Sequence, residues 1–479
     1  MEKLRLFGRE KIFTNLSAIT LENVIAEINR VLKKHYNNMV EIDYLERYVK
    51  GDQPILERKK DVRPEICNKI VINNASMVVN FKNGYFLQKP ASYVSRRADE
   101  DVIEKVRQLN DWNYLSGKHE ADNSVINSFH TSGLGVLYVQ PTDSDDVPYE
   151  TYSVDPKTTF VVYSLRPGNK PMMGISLAIV DDTLHVDVYT KENVFRLKGM
   201  PISKATLDAG ITSLDLVVNE ITEVLPNTIG AIPIIEYTYN SNRVSAFESA
   251  IDIMDDINAM ESNRADAVEQ KVQSLMILYN CELKDGVTAN QIRKAGYIEL
   301  KNVGDNKADI KILNDELDQT QTQTTLDSLY EQMLDKCGVP SSIRDAGSSS
   351  DNVGAVYLRS GWAMADTNAR NTEDEFIRSS KYYNEVILSI LAKRFGFDIK
   401  ASDFELKIVR NDTNNMLLKT QVALNLRELG FSPELTFERS SLSGDPVNDV
   451  KMSQKYIDMK WENNEEFEYS EVENPTIGF

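Results

Sequence analysis

Three aspartates, Asp252, Asp255 and Asp256, are a candidate group of metal ligands. Carboxylates at such spacing can hold Mg²⁺, which would make the protein a metal-dependent nuclease. Sites of that kind, however, draw carboxylates from several elements and usually set a Lys or His beside them. His119-Glu-Ala-Asp-Asn123 begins like the HExxH of a zinc protease, but the second histidine is missing, and with it the two-ligand helix face. Gly133-Leu-Gly135 is a fragment of GxGxxG that precedes a strand-like run instead of following one, so it offers no helix N-terminus to a phosphate. There is no P-loop, no G-x-S-x-G elbow and no kinase signature. With 4 histidines in 479 residues, none near another in sequence, acid–base catalysis has no candidate pair. The expectation is a protein with no catalytic, metal or cofactor site.

The elements that would position these residues are mostly helices. Residues 245–275 read as one long helix, with Phe247, Ile251, Met254, Ile257, Ala265, Val268, Val272 and Leu275 as an apolar stripe. Its other faces are acidic: Asp252, Asp255, Asp256, Glu261, Asp266 and Glu269 stand against only Arg264 and Lys271. A compact αβ insertion follows, with strands expected at 275–279, 297–300 and 309–313 and a short helix at 288–294. A second helix, 315–337, then returns. Two helices that leave and come back with a small module at their far end make a stalk with a tip. The second helix stops at Gly338-Val-Pro340, and a loop of small polar residues, 341–354, precedes a helical pattern from 355 to 395.

Upstream, apolar residues recur at helical spacing over 21–48 and 70–87, and further helices are expected at 102–114 and 118–131. Residues 56–65 read as an exposed connector. Between 135 and 239 the pattern changes to short β-runs parted by turn residues, a meander-like unit comprising 136–139, 159–163, 175–180, 185–189, 194–197 and 232–239. Near the C-terminus, 404–410 reads as a strand, and 413–429 and the stretch through Trp461 as helices. The tail 462–479 is acidic, the composition of a disordered segment.

Composition narrows the function classes. Lys and Arg number 54 against 73 Asp and Glu, giving a net charge of −19 and a pI near 4.9. That balance argues against tight binding of a phosphate backbone, yet fits a surface that DNA passes without sticking. The 3 cysteines, Cys67, Cys281 and Cys337, lie far apart, so neither a disulfide framework nor a zinc site is expected. No apolar run approaches the roughly 18 residues of a membrane span, and the chain reads as soluble and intracellular.

In this order the chain resembles the portal proteins of tailed double-stranded-DNA bacteriophages, of the siphophage type. Tyr48-Val-Lys-Gly-Asp-Gln-Pro-Ile55 is similar to that family's Tyr-x-x-Gly-(Asp/Asn) connector. Residues 68–90, with Asn73-Asn74, Val78 and Gly84-Tyr-Phe-Leu-Gln-Lys-Pro90, resemble the segment ending in a Gly-x-Pro-like turn, with Gln88 where the glycine would stand. Gly338-Val-Pro-Ser341 followed by Ser349-Ser-Asp-Asn-Val-Gly-Ala-Val-Tyr-Leu358 resembles the tunnel-loop signature, usually Ser-Gly-x-Ala-Leu. Phe431-Ser-Pro-Glu-Leu-Thr with Gly444-Asp-Pro resembles the final helical pair.

The resemblance implies a mainly helical α+β portal fold with wing, stem, clip and crown regions, assembled as a ring around a channel. By position, 1–117 would be the N-terminal helical part of the wing and 118–244 its α/β region. Residues 245–275 and 315–340 would be the stem helices, 276–314 the clip and 341–354 the tunnel loop. The long wing helix would span 355–400, the crown 401–461 and the acidic tail 462–479. Ser348, Ser349, Ser350, Asp351 and Asn352 would face DNA, Gly347 and Gly354 would be the loop's hinges, and Asp252, Asp255, Asp256 and Glu261 would line the channel or the stem face. The implied function is a conduit at one capsid vertex through which the genome is packaged and ejected. The implied partners are further copies of the chain (twelve in a ring), double-stranded DNA, the terminase large subunit, a head–tail adaptor, and the major capsid and scaffolding proteins, without a membrane. The implied location is the virion, with host cytoplasm during assembly. A metal-dependent nuclease and a non-viral oligomeric scaffold are the alternatives.

Overall fold

The computed structural model describes residues 4–461 apart from 62, 88, 98, 145, 203–211, 213–214, 273–275, 280, 284–299, 303–308, 313–318, 342–360, 409–415, 441 and 443–445. In chain order the first elements are β1 (Ile12–Thr14), α1 (Val24–Val49), α2 (Asn74–Phe86), β2 (Ser92–Ser95), α3 (Glu100–Leu115) and α4 (Lys118–Ser132). Strands β3 (Leu134–Pro141), β4 (Tyr149–Val154), β5 (Thr159–Ser164), β6 (Pro171–Val180), β7 (Thr183–Tyr189), β8 (Asn193–Pro201), β9 (Val218–Pro226) and β10 (Ile234–Thr238) follow. Next come α5 (Ile251–Val272), β11 (Met276–Tyr279), β12 (Cys281–Leu283), β13 (Leu300–Asn302), β14 (Asp309–Ile312) and α6 (Thr320–Cys337). The chain then continues through α7 (Trp362–Phe395), β15 (Phe404–Lys407), α8 (Met416–Glu428), α9 (Pro433–Ser440) and α10 (Pro446–Trp461). It divides into two compact units. One is Met1–Gly8, Val40–Phe81 and Val244–Asn368; the other is Arg9–Met39, Lys82–Arg243 and Ala369–Phe479.

In the second unit, strands β5 to β9 form an antiparallel meander, and β1 adds to it in parallel beside β5. Alternation explains the sheet: Phe160, Val162, Ile175, Leu177, Val186, Val188, Phe195 and Leu197 all point to one core. Helix α1 covers that face with Val24, Ile28, Val31 and Leu32, a stripe at i, i+4, i+7 and i+8. The β6–β7 hairpin closes on Asp181 and Asp182, both left-handed at φ 49° and 57°, the geometry of a two-residue primed turn whose twist matches the strands.

The meander read from the sequence is in fact split. Residues 136–139 and 232–239 belong to a separate three-stranded sheet in the order β10-β3-β4, because β10 returns to pair antiparallel with β3. Gly135 lets β3 cross α4 closely: a Cβ there would lie 2.6 Å from the Val125 carbonyl oxygen. The second core lies under α7, whose Phe376, Tyr383, Val386, Ile387, Ile390 and Leu391 pack with Val125 and Phe129 of α4 and Val139 and Tyr149 of β3 and β4. The strand expected at 404–410 is β15, and its partner is β2, far upstream in the chain.

In the first unit, α5 and α6 pack against each other, burying Met254 and Ile257 on one and Leu326, Met333 and Leu334 on the other. The segment between them carries two antiparallel pairs, β11 with β14 and β12 with β13. The short helix expected at 288–294 lies outside the described residues. Helix α6 ends on Gly338, left-handed at φ 63°, as its sequence stop signal requires. One upstream expectation is corrected. The run at 70–87 is helical only from Asn74, and 70–73 is not helix at all; helix α5 accounts for that difference.

Candidate functional site

Helix α5 carries the acidic residues singled out in the sequence, and its neighbours give them different burial and different partners. Small polar residues recur every four positions along one face: Asn258, Ser262 and Asp266, all at most 3% exposed. Each accepts a hydrogen bond from a backbone N–H of an extended segment laid antiparallel to the helix. The Ile72 N–H reaches Asn258 Oδ1 at 3.0 Å, the Ile70 N–H reaches Ser262 Oγ at 2.9 Å, and the Asn68 N–H reaches Asp266 Oδ1 at 2.7 Å. The register is metrical. Four helical residues rise about 6 Å and two extended residues span about 6.7 Å, so the three rungs stay matched over two steps. Hydrogen bonding of Ile70 and Ile72 to α5 thus takes the place of helix over 70–72.

The connector before it is also bound. Lys60 Nζ lies 2.9 Å and Arg58 Nη2 3.0 Å from Asp266 Oδ2, and Asn68 Nδ2 donates to Asp266 Oδ1 at 2.9 Å. Arg58 also donates to the Asn68 carbonyl at 3.0 Å and to Asn263 Oδ1 at 2.5 Å. Asp266 is therefore a four-bond hub. Burial works against its charge, but the Asn68 N–H, the Lys60 ammonium, the Asn68 amide and Arg58 outweigh it and hold the carboxyl at about 2. Residues 56–65 are thus an exposed connector only in part: Leu56, Glu57, Lys59 and Asp61 face solvent, while Arg58 and Lys60 tie down to the helix.

Gln53, 1% exposed, joins the ends of this arrangement. Its amide donates to the Tyr48 carbonyl at 3.1 Å and accepts from Asn258 Nδ2 at 2.6 Å. It also donates to Asn73 Oδ1 at 3.3 Å, while Asn73 Nδ2 donates to the Val49 carbonyl at 2.9 Å. Asn73 is left-handed, at φ 55°. The two sequence stretches at 48–55 and 73–74 therefore meet at one point, the end of α1.

The candidate acids separate accordingly. Asp252 and Asp256, one turn apart, are exposed. Asp255 is half-buried, and its Oδ1 accepts from the Tyr48 hydroxyl at 2.8 Å. Glu261 is half-buried 3.5 Å from Arg264 Nη1. Arg264 in turn spans to α6, donating to Gln319 Oε1 at 2.7 Å and Gln323 Oε1 at 2.9 Å. Asp252, Asp255 and Asp256 thus differ in exposure and partner although they neighbour one another along the helix, and among the described residues no three His, Cys, Asp or Glu side chains converge to hold a metal ion. Asp266 is the residue that the sequence reading passed over. Its signal was the four-residue period of small polar side chains on an otherwise apolar and acidic helix.

The other sequence candidates resolve simply. His119 lies in α4 with its ring 3.3 Å from the Asn123 amide. Gly133 caps the C-terminus of α4 at φ 83°. Ser348, Ser349, Ser350, Asp351 and Asn352, with Gly347 and Gly354, lie outside the described residues. No helix among the described residues is long and apolar enough to cross a membrane.

A family model described as "Phage portal protein, SPP1 Gp6-like" matches residues 28–465. No curated protein matches the chain. Among solved structures, the neck of an empty GTA particle, computed with C6 symmetry, is similar at 12% identity and a TM-score of 0.43, over 84% of this chain and 93% of that one. The neck of a native GTA particle, computed with C12 symmetry, is similar at 13% identity and a TM-score of 0.42, over 77% of this chain and 90% of that one.

Proposed function

The chain belongs to the phage portal protein family, SPP1 Gp6-like, and from that premise we propose that twelve copies close into a ring through which the phage genome enters and leaves the capsid. A portal is a structural protein of the capsid vertex. Its work in this reading is to offer a passage and docking surfaces, with ATP hydrolysis supplied by a terminase motor and no covalent chemistry of its own.

The observation that carries the reading is the family match over residues 28–465, with the paired helices α5 and α6 around two small β-pairs in support. In this reading α5 and α6 are the stem, 276–314 the clip that meets the terminase large subunit and later a head–tail adaptor, and 341–354 the tunnel loop. The wing takes 1–244 with the helix of 355–400, and the crown takes 401–461. Major capsid and scaffolding proteins surround the ring, which assembles in the host cytoplasm. Exposed Asp252 and Asp256 are the acids of α5 best placed to keep a duplex from adhering, since like charge repels phosphate over about a Debye length.

Purified chain imaged by negative stain should show rings whose symmetry can be counted. A uniform monomer or dimer at every salt and protein concentration would overturn the ring.

A further inference from the structure

Residues 64–73 are held to helix α5 by polar contacts from the helix's side chains, not by a ladder of their own. Among the described residues, 67–72 make no backbone–backbone hydrogen bond. Ile66 is the one buried apolar side chain of this stretch, whereas Ile70 and Ile72 are 36% and 42% exposed. Left-handed residues bound it, Arg63 at φ 51° and Asn73 at φ 55°, and such positions absorb large backbone rotations when a segment moves. A segment with few buried apolar contacts and bonds made through side chains belongs to the low-stability end of a fold.

We propose that residues 58–73 form a strap that opens from α5 as a unit, with Asp266 as the latch that keeps it seated. The groups facing Asp266 are Arg58 and Lys60 from the strap, Asn68 through both its backbone and its amide, and Glu269 one turn along α5, which shares the Asn68 amide at 3.1 Å. Two cations against two carboxylates leave the seated site close to neutral. Lifting the strap takes Arg58 and Lys60 away, so that Asp266 and Glu269 join Asp252 and Asp256 on the solvent surface of the helix. The strap would thereby set how acidic α5 is to whatever lies against it. This inference does not depend on the ring or on DNA, and the free chain tests it.

Hydrogen exchange of the full chain, followed on peptides covering 58–73, α5 and β5–β8, reads the opening. In the wild type the strap amides should exchange faster than those of α5. Asp266→Asn should speed the strap at least about tenfold, since charge-assisted bonds are lost, and leave β5–β8 unchanged. Ser262→Ala, which removes one neutral bond, should act less. Equal exchange of strap and α5 in the wild type, or no change in Asp266→Asn, overturns the proposal. Should that variant fail to fold, a salt series on the wild type from about 0.05 M to about 0.5 M decides: strap exchange rises with screening if the latch is ionic, and a flat response overturns it.

Discussion

The Tyr48 hydroxyl donates to Asp255 Oδ1 at 2.8 Å, joining the end of α1 to the second turn of α5. The phenol ring stacks on Phe247 at 5.9 Å, so packing and the hydrogen bond together fix its position. Burial and the neighbouring Asp255 charge both push the phenol's proton affinity up, so it stays a donor at any ordinary pH. An acid that in the sequence matches Asp252 and Asp256 is thereby committed to the fold.

Tyr48→Phe should therefore cost about 1–2 kcal/mol, since a half-buried carboxylate loses one of its hydrogen bonds. Asp252→Asn and Asp256→Asn, at exposed positions, should fall within about 0.5 kcal/mol of the wild type. Urea unfolding of the chain measures all three. Equal costs would show that the three aspartates are not sorted as described.

Acid should weaken the fold in two steps. His35 is buried, stacked 3.8 Å from Phe160, and its Nε2 lies 2.9 Å from the Lys157 carbonyl. Burial outweighs that bond and lowers its pKa from 6.5 to about 4. The folded pKa lies below the unfolded one, so the unfolded chain takes up the proton first. This contribution is complete above pH 6.5 and is lost as pH falls toward about 4, amounting to on the order of 3 kcal/mol. Asp266, held at about 2, contributes above the ordinary carboxylate pKa of about 3.9 and is lost only below it. His130, buried and also shifted down, adds to the first step. Urea midpoints from pH 7.5 to 4.5 should fall for the wild type and fall less for His35→Phe.

Two glycines should respond in opposite ways to alanine. Gly135→Ala would bring a Cβ to 2.6 Å from the Val125 carbonyl, and should lose about 1–3 kcal/mol because backbone must move. Gly84 lies in α2, exposed, with nothing within 4 Å of its Cβ position. Gly84→Ala should gain up to about 1 kcal/mol by restricting the unfolded chain. Thermal melts of both variants check the signs.

Deleting Ser348 to Asn352 should leave ring assembly intact and impair genome packaging or retention. Phage yield equal to the wild type from such a deletion would end the case for the loop's contact with DNA.

The sequence by itself determined much of the chain's order. Helical periodicity places α1, α3 and α4 to within a few residues, since a stripe such as Val24, Ile28, Val31 and Leu32 carries its own period, whereas α5 begins only at Ile251, after a 3-10 turn at 248–250, and not at the expected 245. The Gly338 stop and the strands on either side of the insertion between α5 and α6 were legible for the same local reasons. So was the portal resemblance, carried by short motifs in a fixed order. What only the tertiary structure decided depends on partners distant in the chain. Strand β10 pairs with β3 across about a hundred intervening residues, which divides an apparent meander into two sheets. Residues 70–72 have a helical pattern, yet they lie extended where Ser262 and Asn258 accept from the Ile70 and Ile72 N–H groups, continuing the rung that Asp266 makes with Asn68. Among the acids of α5, composition treats Asp252, Asp255 and Asp266 alike. Only the neighbours Tyr48, Arg58, Lys60 and Asn68 make one of them a surface charge, one a hydrogen-bond acceptor and one a buried hub, because a carboxylate's role is set by what surrounds it in space.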